Sequence, residues 1–212
     1  MAESEPKPHR ARRADSRALI LDAAVQALVS HGYAGASTVV IQRLAAVSRG
    51  RLLHYFPSRE QLLVAAAQRL AAERIGEMEL WFESAPTIEA DGVERIDYAV
   101  ALLWKTFRQP YFWAAMELWL AARTDPVLRS ELAASEHRLG RAIENVIATM
   151  FGPSHSSHPA FADTRDLLFT SMRGVALTYA IEDRDPDADP HLQRWQGLAR
   201  TLLAETGNNS QN

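Results

Sequence analysis

The chain has 212 residues, of which 47% are hydrophobic and 8% aromatic, and its formal net charge is −3. These numbers suffice for one or two compact domains with hydrophobic cores. The chain has no cysteine. A disulfide framework, a thiol nucleophile and a cysteine-ligated metal are therefore excluded.

The two ends of the chain differ in charge. Residues 1–60 hold nine lysines and arginines against five acids, a net charge of +4, so the remainder carries −7. A basic end on an acidic body favours contact with a polyanion. The polar N-terminus predicts neither a signal peptide nor a membrane anchor, and no segment reaches the roughly 18 apolar residues of a membrane span. We expect a soluble, cytoplasmic protein that does not bind a membrane.

Helical periodicity dominates from the N-terminus onward and predicts an all-α fold. The first helix is predicted at about 15–31, where Gly32 supplies a C-terminal stop. Two short helices follow. Ser37 or Thr38 caps the first of them, and Ser48 caps the second.

A long helix is predicted to begin after Ser58, because Ser58 and Gln61 have the spacing of a capping box. Further along, Asp125 precedes a proline at the first position of another long helix. The other predicted elements are a loop at 83–92, helices at about 93–107 and 110–123, a loop at 152–159, a helix at about 162–183, and a last helix at about 190–205.

The two short helices after a supporting helix have the layout of a helix-turn-helix. In that motif the N-terminal residues of the second helix reach base edges, and here they are Arg49, Gly50 and Arg51. Arginine can pair with guanine through two hydrogen bonds, and glycine permits a close approach. Leu52 and Phe56 share the opposite face and would anchor the helix. The alternative interpretation is a solvated surface with two incidental arginines.

Residues from about 17 to 66 resemble the DNA-binding domain of the TetR family of transcriptional regulators. The resembling segments are "RALILDAAVQALVSHGYAGAS" and "IQRLAAVSRGRLLHYFPSREQLLVAA". Two positions depart from the family pattern. Ala46 occupies a turn position that is often glycine, which predicts an altered turn geometry. Leu53 stands where tyrosine is frequent, which predicts the loss of one phosphate contact.

By position, the resemblance implies base contacts from the start of the second short helix and phosphate contacts around it. The predicted DNA-binding residues are Thr38, Arg43, Ser48, Arg49, Gly50, Arg51, His54, Tyr55 and Arg59. Among them Thr38, Tyr55 and Arg59 would contact phosphates, with Arg43 and His54 near the groove edge. Residues 1–14, with Arg10, Arg12 and Arg13, are predicted to form either a flexible basic arm that adds minor-groove contacts or an ordinary disordered terminus.

The resemblance also implies a domain organisation: a helix-turn-helix domain at 15–58, a larger helical domain for ligand binding and dimerisation at 59–206, and a disordered tail at 207–212. Aromatic residues are dense in "WKTFRQPYFWAAMELW" and are candidates for an apolar pocket. The alternative is plain core packing. The candidate ligand-binding residues are Trp104, Phe107, Phe112, Trp113, Met116, Glu117 and Met172.

The last two helices are candidates for a homodimer interface, because their apolar stripes alternate with small residues that permit close approach. The candidate residues are Leu167, Gly174, Leu177, Ile181, Leu192, Trp195, Leu198 and Leu202. The alternative is that these stripes close the core within one chain.

Two polar segments have a weak likeness to metal sites. His155 and His158 lie in a predicted solvent loop without nearby acids, and the acidic residues 182–189 lack the glycine-centred spacing of a calcium loop. We interpret both as solvated and expect no metal, cofactor or catalytic residue.

Together these patterns predict a ligand-responsive transcriptional regulator, most simply a repressor that binds a palindromic operator in double-stranded DNA as a homodimer. A small apolar or aromatic effector would release it. The alternatives are a regulator of the same fold without a ligand or acting as an activator, and an enzyme with an appended helix-turn-helix. The sequence offers no glycine-rich phosphate loop or metal-ligand set for the enzyme.

Overall fold

The computed structural model describes residues 8–83 and 92–204, and the described residues form helices without any strand. This confirms the all-α prediction. The helices are α1 (Pro8–Gly35), α2 (Thr38–Leu44), α3 (Arg49–Tyr55), α4 (Arg59–Glu83), α5 (Val93–Thr106), α6 (Pro110–Ala122), α7 (Pro126–Ser156), α8 (Phe161–Thr178) and α9 (His191–Leu202), with a 3-10 turn at Pro186–Ala188. No helix in this part of the chain is long and apolar enough to cross a membrane.

Helix α1 is interrupted at Gly32, as the sequence predicts, because Gly32 has φ 64° and only a short helical turn follows it. The N-terminal end differs from the prediction. The helix begins at Pro8 rather than near residue 15, so the backbone of residues 8–14 is helical. Residues 1–7 of the predicted arm and the predicted tail at 207–212 lie outside the described residues.

The contacts between helices divide the chain into two units. The first unit comprises Met1–Arg74 and Pro110–Gly140, and the second comprises Ile75–Gln109 and Arg141–Asn212. This grouping places α6 and the first half of α7 with the helix-turn-helix, whereas the domains predicted from the sequence put both in the regulatory domain.

The first unit has one continuous hydrophobic core. Ile20, Leu28, Ile41, Leu52 and Leu62 are at most 1% exposed, and they come from each of the first four helices. Residues of α6 and α7 complete the same core, namely Ala114, Leu118, Ala122, Leu128 and Leu132. The short helices α2 and α3 are therefore held by tertiary packing, which helices of seven residues require in water.

The second unit is built around an aromatic cluster. Trp104 of α5 is 2% exposed, and its ring lies 4.9 Å from Trp195 of α9 and 6.0 Å from Tyr179. Phe107 packs edge-on against Phe169 of α8, with the ring centroids 5.1 Å apart. Because α9 packs on both α5 and α8, these rings form the centre of the unit.

Two segments predicted as solvated are partly buried. A helical turn of α7 continues past a kink at Gly152, so the predicted loop at 152–159 is wrong over its first half. His155 is 9% exposed, and one ring nitrogen lies 3.4 Å from the carbonyl oxygen of Gly92. In the acidic segment, Asp189 is 5% exposed, because its carboxylate binds the Tyr179 hydroxyl and the backbone N–H of His191.

Candidate nucleic-acid interface

The two short helices begin at the predicted serine caps. The hydroxyl oxygen of Ser37 accepts a hydrogen bond from Val40 N at 3.3 Å, and that of Ser48 accepts one from Arg51 N at 3.3 Å. Each cap satisfies one of the free N–H groups at a helix start. The predicted cap role of Ser48 therefore has a direct structural basis, while its contact with DNA stays a prediction.

The turn between α2 and α3 keeps a left-handed residue. Ala46 has φ 51° and is the one non-glycine residue with positive φ among those described. The backbone therefore takes the conformation that glycine usually adopts, and the alanine side chain costs about 1–2 kcal/mol there. The sequence predicted that the turn geometry would change at Ala46. The structure instead keeps the left-handed turn conformation, which is unfavourable for alanine.

The surface of α2 and α3 that is not packed on the core carries several cations beside three exposed apolar side chains, Val39, Leu44 and Leu53. Arg43, Arg49, Arg51 and His54 are exposed, and Thr38 and Tyr55 are half-buried. Gly50 is also exposed, and a Cβ built on it would meet no atom within 4 Å. Packing inside the protein therefore does not require glycine at this position.

The arginines of this surface have no acidic partner among the side chains that the structure describes. Ion pairs occur at Arg69, Arg108, Arg165, Arg184 and Arg200, and none involves Arg43, Arg49 or Arg51. Three exposed cations without a carboxylate partner are available to an external anion. A polyanionic backbone is the partner that such a surface favours.

Arg59, which the sequence assigned to a phosphate, is directed inward. Its Nε donates to the carbonyl oxygen of Ala36 at 3.0 Å, and its Nη2 donates to that of Tyr33. The guanidinium also lies 4.2 Å from the centre of the Tyr33 ring. These contacts satisfy carbonyls at the end of α1, which is the end of a helix that favours a cation.

The candidate ligand-binding residues lie in two different units. Phe112, Trp113, Met116 and Glu117 belong to the first unit, and Trp104, Phe107 and Met172 to the second. Glu117 accepts a hydrogen bond from Tyr33 N, and Trp104 Nε1 donates to the carbonyl oxygen of Pro186 at 2.9 Å. The structure thus gives the polar atoms of these two residues partners inside the protein.

The candidate dimer residues separate into exposed and buried ones. Trp195 is 4% exposed and donates from Nε1 to the hydroxyl of Ser171 at 2.9 Å, so it belongs to the core of the second unit. Leu192 is half-buried and Gly174 is exposed. The remaining candidates are exposed leucines and isoleucine at positions 167, 177, 181, 198 and 202.

Sequence reasoning found the helix stop at Gly32 but missed the contacts that fix the end of α1. Gly32, Tyr33, Arg59 and Glu117 meet there, and Tyr33 and Glu117 are 84 positions apart. The Gly-Tyr pair marks the turn in the sequence, but no local signal points to a carboxylate so far along the chain.

Tyr179 and Asp189 of the second unit have pKa values displaced by their surroundings. Burial and the hydrogen bond to Asp189 raise the pKa of Tyr179 to about 12. Burial alone would raise the pKa of Asp189, but hydrogen bonds from Tyr179 and His191 outweigh it and hold that pKa below its usual value. Asp189 is thus a buried, ionised acceptor that anchors the start of α9.

Comparison with known proteins relates this geometry to a family. Residues 20–66 match the model of the tetR family of bacterial regulatory proteins. The HTH-type transcriptional regulator CymR of Pseudomonas putida is 28% identical over 167 residues, which cover 78% of this chain and 80% of CymR. The HTH-type transcriptional repressor AcnR of Corynebacterium glutamicum is 26% identical over 129 residues, 61% of this chain and 62% of AcnR.

A solved structure has the same fold. The multidrug binding protein EbrR, crystallised with imidazole, superposes with a TM-score of 0.59 at 19% identity, covering 93% of this chain and 96% of EbrR. The curated relatives are transcriptional regulators, which confirms the expectation of a protein that is not an enzyme. The chain is therefore similar to bacterial regulatory proteins of the tetR family, and its N-terminal helix-turn-helix lies within the residues that match the family model.

Proposed function

We propose that this protein is a cytoplasmic transcriptional repressor that binds a palindromic operator as a homodimer and is released by a small apolar or aromatic ligand. The observation that carries DNA recognition is the set of exposed arginines on α2 and α3, Arg43, Arg49 and Arg51, which have no carboxylate partner among the described side chains.

On this proposal the residues of the surface divide into two roles. Arg49 and Arg51 pair with base edges in the major groove, with Gly50 between them allowing a close approach. Thr38 and Tyr55 contact phosphates, and Arg43 and His54 lie near the groove edge. The base contacts specify the sequence, and the phosphate contacts set the register of the protein on the duplex.

The homodimer is proposed to form through the exposed apolar residues of the last two helices. Leu177 of α8 is 41% exposed, Ile181 in the turn that follows α8 is 89% exposed, and Leu198 and Leu202 of α9 are each 36% exposed. These two helices pack on each other in the same unit. Two-fold pairing of such a face would present two recognition helices to a symmetric operator.

The ligand and the sign of regulation are supported by two relatives. AcnR is described as a repressor, and EbrR as a multidrug binding protein. In this chain the aromatic residues around Trp104 and Phe107 are of the type that lines apolar ligand sites, and because both are at most 3% exposed, a ligand there would have to displace part of their packing. Binding there would stabilise the folded protein and, through a coupling of about 1–3 kcal/mol, weaken operator binding about 5- to 150-fold.

The proposal is tested by selecting bound duplexes from a random pool with the full-length protein. The expected result is an enriched palindrome whose half-sites are about one helical turn of DNA, or a multiple of it, apart. A screen of small aromatic molecules should then find compounds that raise the melting temperature and release that duplex. Binding without any enriched sequence would contradict the proposed operator recognition.

A second candidate is a regulator of the same fold without a ligand. The observation that favours it is the complete packing of Trp104, which is 2% exposed and bonded to the carbonyl of Pro186. Such a residue serves the core. A compound that raises the melting temperature and weakens binding of the enriched duplex would exclude this candidate.

A further inference from the structure

The turn that joins α1 to α2 is held by two charged side chains from other helices. At its start Gly32 has φ 64°, and a Cβ on it would lie 2.8 Å from the carboxyl carbon of Glu117. The next residue, Tyr33, donates its backbone N–H to the same carboxylate. A side chain of α6 therefore occupies the space that only a glycine at position 32 leaves open.

The other side of the turn is held from α4. Arg59 donates to the carbonyl oxygens of Tyr33 and Ala36, and its guanidinium stacks on the Tyr33 ring. Ala36 is 0% exposed, so its carbonyl depends on a partner inside the protein. Arginine suits this position because its planar fork can reach two acceptors at once.

The turn between α1 and α2 ends where the predicted DNA contacts begin. Ser37, directly after Ala36, caps α2, and Thr38 is the first residue of that helix and a predicted phosphate contact. The positions of Tyr33 and Ala36 therefore determine where α2 starts. Glu117, Arg59 and this turn all belong to the first unit, whose core includes residues of α6.

We propose that Glu117 and Arg59 are positioning residues that hold the start of α2 in the place that operator binding requires. Neither contacts the DNA, and Glu117 does not contact the effector. This inference rests on the proposed DNA-binding function and departs from the roles that the sequence predicted for both residues.

The two roles open to Arg59 give different salt dependences. A phosphate contact releases a counterion, so its loss reduces the slope of log Kd against log salt by about 0.9. A positioning residue changes how much of the protein is in the binding-competent arrangement. If that fraction falls to about a tenth, the apparent Kd rises about tenfold and the salt slope stays the same.

The test measures the Kd of the duplex enriched by the wild-type protein, at several salt concentrations and at a temperature where each variant is folded by circular dichroism. The variants are Glu117→Ala, Glu117→Gln, Arg59→Lys and Arg59→Met. Glu131→Ala is the matched control, because Glu131 accepts a hydrogen bond from Gln61 of α4 at 2.9 Å without touching the turn.

The expected result is a Kd raised about tenfold by Glu117→Ala, Arg59→Lys and Arg59→Met, with the salt slope of the wild type. Glu117→Gln should restore most of the affinity, because the amide oxygen still accepts from Tyr33 N. Lysine should not restore it at Arg59, since one ammonium group cannot span both carbonyls. The control Glu131→Ala should bind as the wild type does.

Two outcomes overturn the inference. A Kd unchanged in Glu117→Ala, with only the melting temperature lowered, would mean that Glu117 merely stabilises the fold. A salt slope reduced by about 0.9 in Arg59→Met, with affinity restored by lysine, would make Arg59 a phosphate contact. If Glu117→Ala does not fold, the Kd values and salt slopes of the two Arg59 variants decide the test. A wild-type protein that enriches no duplex would instead contradict the proposed function itself.

Discussion

Two regions of the molecule differ in whether their polar groups have partners inside the protein. They are the exposed surface of α2 and α3 and the aromatic cluster of the second unit. On the first, Arg43, Arg49 and Arg51 are exposed and have no carboxylate partner among the side chains described. In the second, the polar atoms of Trp104 and Trp195 are bonded within the protein, to Pro186 and Ser171.

The difference separates residues that serve an outside partner from residues that serve the fold. A buried polar atom that already has a partner costs free energy to disturb, whereas an exposed unpaired cation costs almost nothing to remove. Substitutions in the cluster should therefore change stability first, and substitutions on the helix-turn-helix surface should change binding alone.

The largest expected effect is that of Trp104→Ala. It removes a buried ring from the centre of the second unit and leaves a cavity, which for a tryptophan costs about 3–5 kcal/mol of unfolding free energy. Urea denaturation measures this loss. A variant as stable as the wild type would mean that the ring borders open space, which would make Trp104 a better candidate for ligand contact than for packing.

Arg49→Ala should leave the unfolding free energy within about 0.5 kcal/mol of the wild-type value, because it truncates an exposed side chain. It should weaken binding of the enriched duplex by about 1–3 kcal/mol, the contribution of one arginine–guanine pair. The control is Arg165→Ala on α8, which removes the same charge from an ion pair with Glu144 and Asp166. Equal losses in both variants would contradict base reading by Arg49.

A smaller effect is expected for Ala46→Gly. Glycine removes the cost of a side chain at φ 51° but gains freedom in the unfolded chain, so the net stabilisation should be up to about 1 kcal/mol. The control is the neighbouring substitution Ala45→Gly. Ala45 has an ordinary right-handed backbone, with φ −76°, and is 7% exposed, so this variant should be less stable than the wild type. Thermal unfolding of both variants gives the sign directly.

The smallest effect concerns the pH dependence of the second unit. Because the pKa of Tyr179 is raised above its ordinary value of 10.0 to about 12, its neutral form is favoured by folding. The stabilisation is complete below about pH 10 and is lost as the pH rises through about 12. Ultraviolet titration should show a phenolate that forms near pH 12 and is missing in Tyr179→Phe; a titration curve that the substitution leaves unchanged near pH 12 would contradict it.

Signals between near neighbours could be read from the sequence. Ser37, Ser48 and Ser58 accept the hydrogen bonds predicted for caps, and Gly32 has the positive φ of a helix stop. Each involves residues at most three or four positions apart, where helix geometry fixes the distance.

Signals that depend on distant packing could not be read. Gln61 fits a capping box by spacing, yet its amide binds Glu131 of α7 instead. Asp189 lies in a run of acids typical of a solvated turn, but it is 5% exposed and its carboxylate accepts a hydrogen bond from the Tyr179 hydroxyl. Arg59 matched a phosphate contact by position, while its partners Tyr33 and Ala36 lie at the end of another helix.

The central claim is that Arg49 and Arg51 of α3 read bases. The measurement that tests it most directly compares the Kd of the enriched duplex with that of a random duplex, at two salt concentrations, for the wild type and the Arg49→Ala/Arg51→Ala double variant. The account predicts that the double variant binds both duplexes equally weakly, with the preference lost and a salt dependence retained from the phosphate contacts. A double variant that keeps the preference of the wild type would contradict the account.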